Sequence, residues 1–374
     1  MEGAGQRGVG EPGEQLEQEL DRLRERIGEL DLELVARAAE RVELARQVGD
    51  LKRRQKLPTV DYAQEKVVVG RARAVASERG LDPAVAEHLL AGLIRASVTA
   101  QEQDSLRVAA VGTGKKAVVV GGAGRMGRWM SGFLSAQGYA TGVLDPAAAP
   151  DENDWARQAL SSAELIVCST PPAATAERYV TWSRKPPAGV VVDIASIKTP
   201  LIEPIAAFQR GGGRVASIHP MFGPSTFLLR DADVVICDTG DPEAIAVVEE
   251  LFEPTTAHIV HLPLADHDRI MADLMSLAHA TAIAFALALP QTQHPVRSTT
   301  FRSLESLAAA VVRESPGVYY EIQAGNPHSS SALERLRGAL DRIVAAIHMQ
   351  DAEGFRALFE EGQRRTSPRA SAGR

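Results

Sequence analysis

The stretch that decides the fold of this chain is Ala117-Val118-Val119-Val120-Gly121-Gly122-Ala123-Gly124-Arg125-Met126-Gly127. Its apolar run at 117–120 predicts a strand, residues 122–127 follow the pattern G-x-G-x-x-G, and a helical pattern comes next. A second strand-like run ends at Asp145. This order is typical of a dinucleotide site, because the glycines let backbone amides approach a pyrophosphate at the helix N-terminus.

The acid after the second strand discriminates between two cofactors. Asp145 can accept hydrogen bonds from an adenosine ribose, and the following Pro-Ala-Ala-Ala-Pro offers no cation for a 2′-phosphate, so we expect NAD rather than NADP. The alternative is a glycine-rich turn in a sheet that binds no nucleotide. The candidate cofactor-binding residues, including those of the loop after the next strand, are Gly122, Gly124, Arg125, Met126, Gly127, Asp145, Ser169, Thr170 and Pro171.

The surrounding pattern extends the glycine turn into a full domain and predicts one further domain after it. Strand-like runs at 165–168, 189–192, 215–218 and 234–237 alternate with helical patterns, which predicts an α/β Rossmann domain with a parallel sheet at 115–264. From about Asp266 the strands stop. Helical runs at 266–289, 302–314, 319–324 and 331–361 predict a separate all-α C-terminal domain at 265–362, and the resemblance described below makes it a substrate and dimerisation domain. Polar residues 1–13 and 363–374 are expected to be disordered tails.

Residues 14–104 are predicted to form an all-α module, joined to the sheet domain by a linker at 105–114. No proline interrupts the chain between Pro12 and Pro58, so one helix can run from 14 to 55. A second is expected at 61–79, and a third begins at Pro83 with Asp82 as its N-cap. Residues of the first helix repeat at spacings of four and three, as in a heptad seam: Leu16, Leu20, Leu23, Ile27, Leu30 and Leu34.

Composition excludes several classes of protein. The net charge of −7 with mixed signs argues against nucleic-acid binding. No window approaches eighteen uninterrupted apolar residues and the first thirteen residues lack an apolar core, so we expect neither a membrane span nor a signal peptide. Cys168 and Cys237 are too few for a disulfide scaffold or a structural zinc site, so no metal is predicted. The expectation is a cytoplasmic protein.

The cations of the first helix have a spacing that favours a dimer. Arg41 and Lys52 are eleven residues apart, about three turns, and share a face. Arg24 lies about 25 Å from Arg41 along the helix and on another side, so only an antiparallel partner helix could bring a second Arg24 to Arg41. Such a composite site in a homodimer would suit a dianion, because Arg matches a carboxylate bidentately. The alternative is a set of solvated charges on amphipathic helices.

The helical module resembles the all-helical chorismate mutase family. The resemblance rests on L-R-E-R-I, A-A-E-R-V-E-L-A, V-G-D-L-K, P-T-V-D-Y-A-Q-E and S-V-T-A-Q, in register over nearly ninety residues. It implies that Arg24 is donated by the partner chain, that Arg41 binds a carboxylate, and that Lys52 and Gln101 bind the ether oxygen of chorismate. It further assigns Asp61 and Glu65 to the substrate hydroxyl and Ser97 to the pocket wall. The family often has Arg before the Glu, where this chain has Gln64.

The rest of the chain resembles the prephenate dehydrogenase family, through the loops V-D-I-A-S-I-K and S-I-H-P-M-F-G-P. His219 leaves its strand into a rigid turn and is well placed for acid–base work beside a nicotinamide. The resemblance implies that His219 is catalytic and that Ser196 orients it. It also implies that His279 and Arg302 bind prephenate, with Arg297 a secondary candidate. His267, beside Asp268, is expected only to start a helix.

Together the two resemblances imply a bifunctional enzyme of tyrosine biosynthesis, which converts chorismate to prephenate and then oxidises prephenate with NAD to 4-hydroxyphenylpyruvate. One alternative is an arogenate or 4-amino-4-deoxyprephenate dehydrogenase whose mutase-like module only dimerises, a reading that Gln64 favours. A generic 2-hydroxyacid dehydrogenase would explain neither the His219 loop nor the helical module. Feedback inhibition by tyrosine, if present, is expected at the dehydrogenase site or the dimer interface.

Overall fold

The computed structural model describes residues 12–55, 57–226, 229–230, 232–290 and 296–367, and begins with a module of three helices. They are α1 (Pro12–Arg54), α2 (Tyr62–Glu78) and α3 (Pro83–Ala109). The side chain of Asp61 accepts a hydrogen bond from the backbone N–H of Gln64, and that of Asp82 accepts one from Ala84, so both act as N-caps. Helix α3 packs against both α1 and α2.

The apolar seam of α1 is not covered by any of the described residues. Each of its six residues is between 42% and 62% exposed: Leu16, Leu20, Leu23, Ile27, Leu30 and Leu34. The C-terminal half of the helix, in contrast, packs on α3, and Gly49 allows the side chain of Gln101 to approach its backbone closely. A helix that leaves such a seam in water would bury it against a second helix.

The central domain contains a seven-stranded sheet in the order β2-β1-β3-β4-β5-β6-β7. The strands are β1 (Lys116–Val120), β2 (Ala140–Leu144), β3 (Leu165–Cys168), β4 (Val190–Asp193), β5 (Arg214–Pro220), β6 (Asp233–Asp238) and β7 (His258–Pro263). The first five run parallel, as expected. Strand β6 pairs antiparallel with β5, and β7 pairs parallel with β6. The direction therefore reverses at β6.

Strand β7 was not among the sequence-based predictions. It is an edge strand, and only intermediate or exposed residues line it, with His258 and His261 among them. A strand that buries neither face produces neither a continuous apolar run nor a clean alternation, which are the two signals that identify strands in a sequence.

Helices cover both faces of the sheet and bury two apolar layers. They are α4 (Arg125–Ala136), α5 (Pro150–Ala159), α6 (Pro172–Trp182), α7 (Ile202–Arg210) and α8 (Pro242–Phe252). Successive residues of β1 point to opposite faces, so Val119 packs with Phe133 and Phe252, while Val118 packs with Tyr179 and Phe208. Burial on both faces explains why the strands read as continuous apolar runs.

The C-terminal part is helical, as predicted. It comprises α9 (His267–Met271), a π-helical segment (Ala272–Ser276), α10 (Leu277–Ala288), α11 (Thr299–Val312), α12 (Pro316–Gly325), α13 (Ser329–His348) and α14 (Ala352–Thr366). Gln350 adopts a left-handed φ of 52° and Asp351 caps α14, so the helical run predicted at 331–361 is divided in two. Helix α14 extends into the expected C-terminal tail. Of the two tails, 1–11 and 368–374 lie outside the described residues.

One helical run, Leu264–Ala288, is by length and apolar composition able to cross a membrane, with a mean hydropathy of 1.6. This run was not predicted from the sequence as a membrane span, because polar residues interrupt its apolar stretches. The run begins beside the buried polar residues His267 and Asp268 and packs against α11 and α13. Only 22% of its most apolar window is buried within the chain, so a large apolar surface stays uncovered.

The helical module and the sheet domain share an interface built on α3. Glu102 is 3% exposed, and its carboxylate accepts hydrogen bonds from the backbone N–H of Leu229 (3.1 Å) and of Thr256 (2.6 Å). The Thr256 hydroxyl donates a third at 2.9 Å. Leu106 belongs to the same apolar cluster as Phe133. Residues 105–109, expected to be linker, are instead the last turns of α3, because their apolar side completes the core of the sheet domain.

We expect Glu102→Ala to loosen this interface, because it leaves two buried N–H groups without acceptors. The free energy of opening should fall by about 2–4 kcal/mol at the amides of Leu229 and Thr256, measured by native-state hydrogen exchange. Glu87→Ala, which removes only an exposed ion pair with Arg73, should change the same amides by less than about 0.5 kcal/mol. Unchanged exchange in Glu102→Ala would contradict the interface described above.

Candidate functional site

The glycine-rich turn after β1 forms a cradle that only glycine can build. Gly121 has a φ of +80°, and a Cβ on it would lie 2.6 Å from the carbonyl oxygen of Ser169. A Cβ on Gly127 would overlap the Gly121 carbonyl oxygen, and one on Gly122 would lie 2.6 Å from the side chain of Val143. The first turn of α4 therefore packs directly on the backbone of the turn, which leaves its N-terminal amides open to an anion.

The other predicted cofactor residues lie around the same edge of the sheet. One carboxylate oxygen of Asp145 accepts a hydrogen bond from Ala123 N–H at 3.1 Å, which places this acid against the glycine turn. Ser169 N–H donates to the Val120 carbonyl, and Pro171 is the N-cap residue of α6, which begins at Pro172. Arg125 points elsewhere, because it forms an ion pair with Glu314 of the helical domain. A cradle that a Cβ would fill, with an adjacent carboxylate, fits a dinucleotide.

His219 lies at the end of β5 and is connected to a chain of buried polar groups. It is 3% exposed, and its Nδ1 lies 3.0 Å from Nε2 of His267. Nδ1 of His267 lies 2.7 Å from an oxygen of Asp268. The two oxygens of that carboxylate also accept hydrogen bonds from the backbone N–H groups of Lys198 and Thr199, each at 2.8 Å.

The hydrogen-bonded series Asp268–His267–His219 determines which nitrogen of His219 can act as a base. Asp268 is acceptor-only when ionised, so His267 must donate through Nδ1 and accept through Nε2. His219 then donates through Nδ1, and its Nε2 carries a free lone pair. The arrangement presents a neutral imidazole with a defined tautomer, which is what a general base requires.

Burial governs the charge states in this chain. It lowers the pKa of His219 well below its usual range, and the neighbouring His267 and Lys198 act in the same direction. Burial likewise lowers the pKa of His267. Desolvation alone would raise the pKa of Asp268, but hydrogen bonds from His267 and Thr199 outweigh it and hold the value at about 2. The carboxylate therefore stays charged while both imidazoles stay neutral.

A buried ion pair holds the loop after β4 against β5. Lys198 Nζ lies 2.7 Å from Asp193 and donates to the Ile218 carbonyl at 2.7 Å, and Tyr179 donates its hydroxyl to Asp193. Ser196 lies in this loop and is partly buried. No hydrogen bond between described residues joins Ser196 to His219, since Nδ1 of that histidine faces His267. The contact that orients His219 is thus to His267, which differs from the expectation.

Sequence reasoning missed the role of His267, which was expected only to start a helix. It does begin α9, and it is also fully buried against His219, 48 residues away in the sequence. The available signal was the pair His267-Asp268, since an Asp beside a His can fix the tautomer of the imidazole. Its proximity to β5 depends on how the helical domain docks, which no local pattern contains.

The predicted substrate residues of the helical domain are not part of the hydrogen-bonded series His219–His267–Asp268. His279 packs its ring edge-on against Tyr319, with centroids 4.5 Å apart, and burial lowers its pKa. Its Nδ1 is buried without a hydrogen-bond partner in the described part of the chain. Arg302 is exposed on α11, and Arg297 pairs with Glu305 at 3.6 Å. No hydrogen bond or ion pair among the described residues joins His279 or Arg302 to His219.

In the helical module, several of the predicted residues meet between α1 and α3. Arg41 donates to the hydroxyl of Ser97 at 2.7 Å and to the Leu93 carbonyl at 3.0 Å. Gln101, one turn beyond Ser97, donates its amide to the Ala45 carbonyl at 2.5 Å. Lys52 donates to the Thr59 carbonyl at 3.2 Å. Arg41 and Gln101 therefore lie at the junction of the two helices, whereas Lys52 contacts the segment that follows α1.

The remaining predicted residues of this module lie elsewhere. Arg24 pairs with Asp21 one turn away and is 73% exposed, so no residue in the described part of its own chain completes a site around it. Asp61 caps α2, which is a structural task. Glu65 forms a bidentate ion pair with Arg230 of the sheet domain, with distances of 2.9 and 2.6 Å. Sequence reasoning did not identify Arg230, which is 165 residues away.

Comparisons with known proteins match both halves of the chain. Residues 23–102 match the family model of chorismate mutase type II, and residues 140–261 match that of the prephenate dehydrogenase nucleotide-binding domain. The T-protein of Enterobacter agglomerans is 28% identical over 91% of this chain and 91% of its own. The 4-amino-4-deoxyprephenate dehydrogenase of Streptomyces pristinaespiralis is 30% identical over 66% of this chain and 89% of its own.

Solved structures support the fold of the sheet and C-terminal domains. The arogenate dehydrogenase of Synechocystis aligns with a TM-score of 0.51 at 21% identity, over 67% of this chain and 99% of that one. The prephenate dehydrogenase of A. aeolicus, solved with hydroxyphenyl propionate and NAD+, aligns with a TM-score of 0.53 at 16% identity, over 67% and 96% of the two chains.

The cradle leads to a test by substitution. We expect Gly127→Ala to weaken NADH binding at least tenfold in a fluorescence titration, because the new methyl group must displace the backbone of Gly121. Gly132→Ala on the same helix is the matched control, since an added Cβ there meets nothing within 4 Å. Equal affinities for the two variants would contradict a nucleotide site at this turn.

Proposed function

The chain belongs to the prephenate dehydrogenase family and carries a chorismate mutase domain before its dehydrogenase part, and from this we propose which residues perform each reaction. The protein is a bifunctional enzyme of tyrosine biosynthesis. It rearranges chorismate to prephenate and oxidatively decarboxylates prephenate with NAD to 4-hydroxyphenylpyruvate. The observation that supports the assignment of the dehydrogenase site is the hydrogen-bonded chain from Asp268 through His267 to His219.

In the dehydrogenase reaction, we assign the general base to Nε2 of His219. NAD would be held by the glycine turn and Asp145, and it would supply the acceptor for the hydride of C4 of prephenate. His219 accepts the proton of the C4 hydroxyl as that carbon becomes a carbonyl. The C1 carboxylate then leaves as CO₂, the electron pair of its bond to the ring makes the ring aromatic, and the resulting phenolate oxygen takes the proton back from His219. The site aligns C4 and the base, so that the two transfers occur together.

The buried chain behind His219 stabilises the charge that forms. As His219 gains a proton, its Nδ1–H still donates to His267, and His267 still donates to the ionised Asp268. Asp268 is held as an anion by three hydrogen bonds, from His267 and from the N–H groups of Lys198 and Thr199. His267 is therefore a positioning residue, in the role that the resemblance assigned to Ser196.

For the substrate itself we propose His279 and Arg302. The buried Nδ1 of His279 lacks a partner in the described part of the chain, and a polar group of prephenate would satisfy it. Arg302 offers an exposed guanidinium to a carboxylate, which it can bind bidentately. We propose the glycine turn, Asp145 and the loop Ser169–Pro171 as the NAD-binding residues, with Met126 in the first turn of α4. Arg125 would have to exchange its pairing with Glu314 for the pyrophosphate.

The mutase reaction needs neither a nucleophile nor an acid, because it is a rearrangement within one molecule. We propose that Arg41 binds a carboxylate of chorismate and that Lys52 and Gln101 stabilise the charge on the breaking ether bond. Ser97 forms the wall beside Arg41, and Glu65 binds the hydroxyl. The capping role of Asp61 leaves it only a minor part, at the edge of the site.

We propose a homodimer in which each mutase site receives Arg24 from the partner. The exposed seam of α1 supports it, because two such helices packed antiparallel would bury both seams. The uncovered apolar surface of Leu264–Ala288 supports a second contact between the C-terminal domains of the two protomers. Because such a contact would cover this surface without a membrane, we propose a cytoplasmic protein. We also propose that tyrosine competes with prephenate; prephenate kinetics unchanged by tyrosine would reject this.

An arogenate or 4-amino-4-deoxyprephenate dehydrogenase is the second candidate for the oxidation. It is favoured by the 30% identity to a relative with the latter name. The three substrates differ at the ring substituent or the side-chain amine. In this second candidate the mutase module serves only for dimerisation. Gln64 favours it, because the mutase family often has Arg at that position.

Paired assays of the purified chain test both activities. We expect chorismate to be consumed without NAD, and prephenate to reduce NAD with a higher kcat/KM than arogenate or the amino analogue. Lys52→Ala should lower only the first rate, by at least about a hundredfold, and His219→Asn only the second, by about 10²–10⁴-fold. Absence of chorismate loss would overturn the mutase assignment, and turnover of arogenate alone would overturn the choice of prephenate.

The lowered pKa of His219 sets the pH dependence of the oxidation. The base must be neutral, so kcat/KM for prephenate should stay constant as the pH falls and decline only below the ordinary histidine value of 6.5. Asp268→Asn removes a charge that raises the pKa of His219, so the decline should move to still lower pH, on a kcat about tenfold smaller. A decline centred at or above pH 6.5 would contradict the neutral, buried base.

A further inference from the structure

A cation of the dehydrogenase part reaches into the mutase domain. Arg230 lies between β5 and β6, and its two terminal nitrogens contact the two carboxylate oxygens of Glu65 on α2, at 2.9 and 2.6 Å. The side chains are only 12% and 21% exposed. A fork-to-fork pair in this geometry determines both the position and the orientation of the carboxylate.

The surroundings hold Arg230 in place. Its guanidinium lies over the ring of Tyr62, 5.2 Å from the centroid. The preceding residue, Leu229, is 4% exposed, and its N–H donates to the buried Glu102 of α3. Because its neighbour is anchored on α3 while its own side chain reaches α2, Arg230 is part of a docked surface and not a mobile loop cation.

The pair borders a groove of about 380 Å³ between α2 and α3. Its lining includes the buried apolar Ile94 and the cations Lys66 and Arg95. Glu65 is thus the acid in a groove that is otherwise basic and apolar. An uncompensated carboxylate there would repel a dianionic substrate, and one paired with Arg230 would not.

The mutase domain has no cation at the position before Glu65, and Lys66, which follows it, is exposed and forms no ion pair with Glu65 among the described residues. The preceding residue is Gln64, which is exposed, and its N–H is used by the Asp61 cap. We propose that Arg230 is a positioning residue of the chorismate mutase reaction, which neutralises and orients Glu65 from the dehydrogenase domain. The proposal rests on the role assigned above to Glu65. It makes the mutase site a product of both parts of the chain.

The first test uses the full-length protein and follows chorismate without NAD. Arg230→Ala should lower kcat/KM about 10–100-fold, and Arg230→Lys, which keeps the charge but loses the fork, should lose less. Prephenate oxidation should stay within twofold, which shows that the variants fold. Arg73→Ala removes an ion pair between α2 and α3 elsewhere in the module and should leave both rates within twofold. Unchanged or increased chorismate turnover in Arg230→Ala would overturn the proposal.

A double-mutant cycle separates positioning from a purely structural effect. If Arg230 acts through Glu65, then Arg230→Ala should have less than a twofold effect in a Glu65→Gln background. In addition, Gln64→Arg placed in the Arg230→Ala chain should restore at least part of the lost kcat/KM. Additive losses in the cycle would refute positioning through Glu65. A wild-type chain without mutase activity would instead refute the proposed function itself, so the two failures are distinguishable.

Discussion

The buried carboxylate of Asp268 joins parts of the molecule that are far apart in the sequence. Its oxygens accept hydrogen bonds from the backbone of the loop after β4 and from the ring of His267. The backbone carbonyl of Asp268 accepts a further hydrogen bond from the side-chain amide of Asn326. Removing such an acceptor would leave several buried donors unsatisfied at once. The helical domain therefore docks on the sheet through the same group that establishes the tautomer of His219, so fold and chemistry share one interaction.

A second buried carboxylate, that of Glu102, joins the mutase domain to the dehydrogenase part, as Asp268 joins the helical domain to the sheet. It accepts hydrogen bonds from segments on either side of β6, and it lies next to Gln101 of the proposed mutase site. The two activities are consequently not carried by independent units joined by a flexible chain. The C-terminal end of α3 is at once a wall of the first site and a part of the core beneath the second.

The features that could be predicted from the sequence are local ones. The strand, glycine turn and helix around 117–127 follow from short-range pattern, as does the cap at Asp82, because neighbouring residues dictate them. The features that could not be predicted depend on long-range docking. His267 and Arg230 reach their partners across 48 and 165 residues, and the edge strand β7 lacks a buried face. Resemblance supplied His219 as the proposed catalytic base, but it could not supply contacts specific to this chain.

The reversal of direction at β6 has a consequence for how such an enzyme can change over time. A parallel β6 would have required a crossover connection to the other end of the strands. The antiparallel pairing instead keeps the segment between β5 and β6 at the end where β5 stops, and this segment contacts α2 and α3. That segment meets the mutase domain through Leu229 and Arg230. A mutase domain taken from a relative therefore would not fit this dehydrogenase part by itself. It would also need an acid that pairs with Arg230, so the two sides of this interface would have to change together.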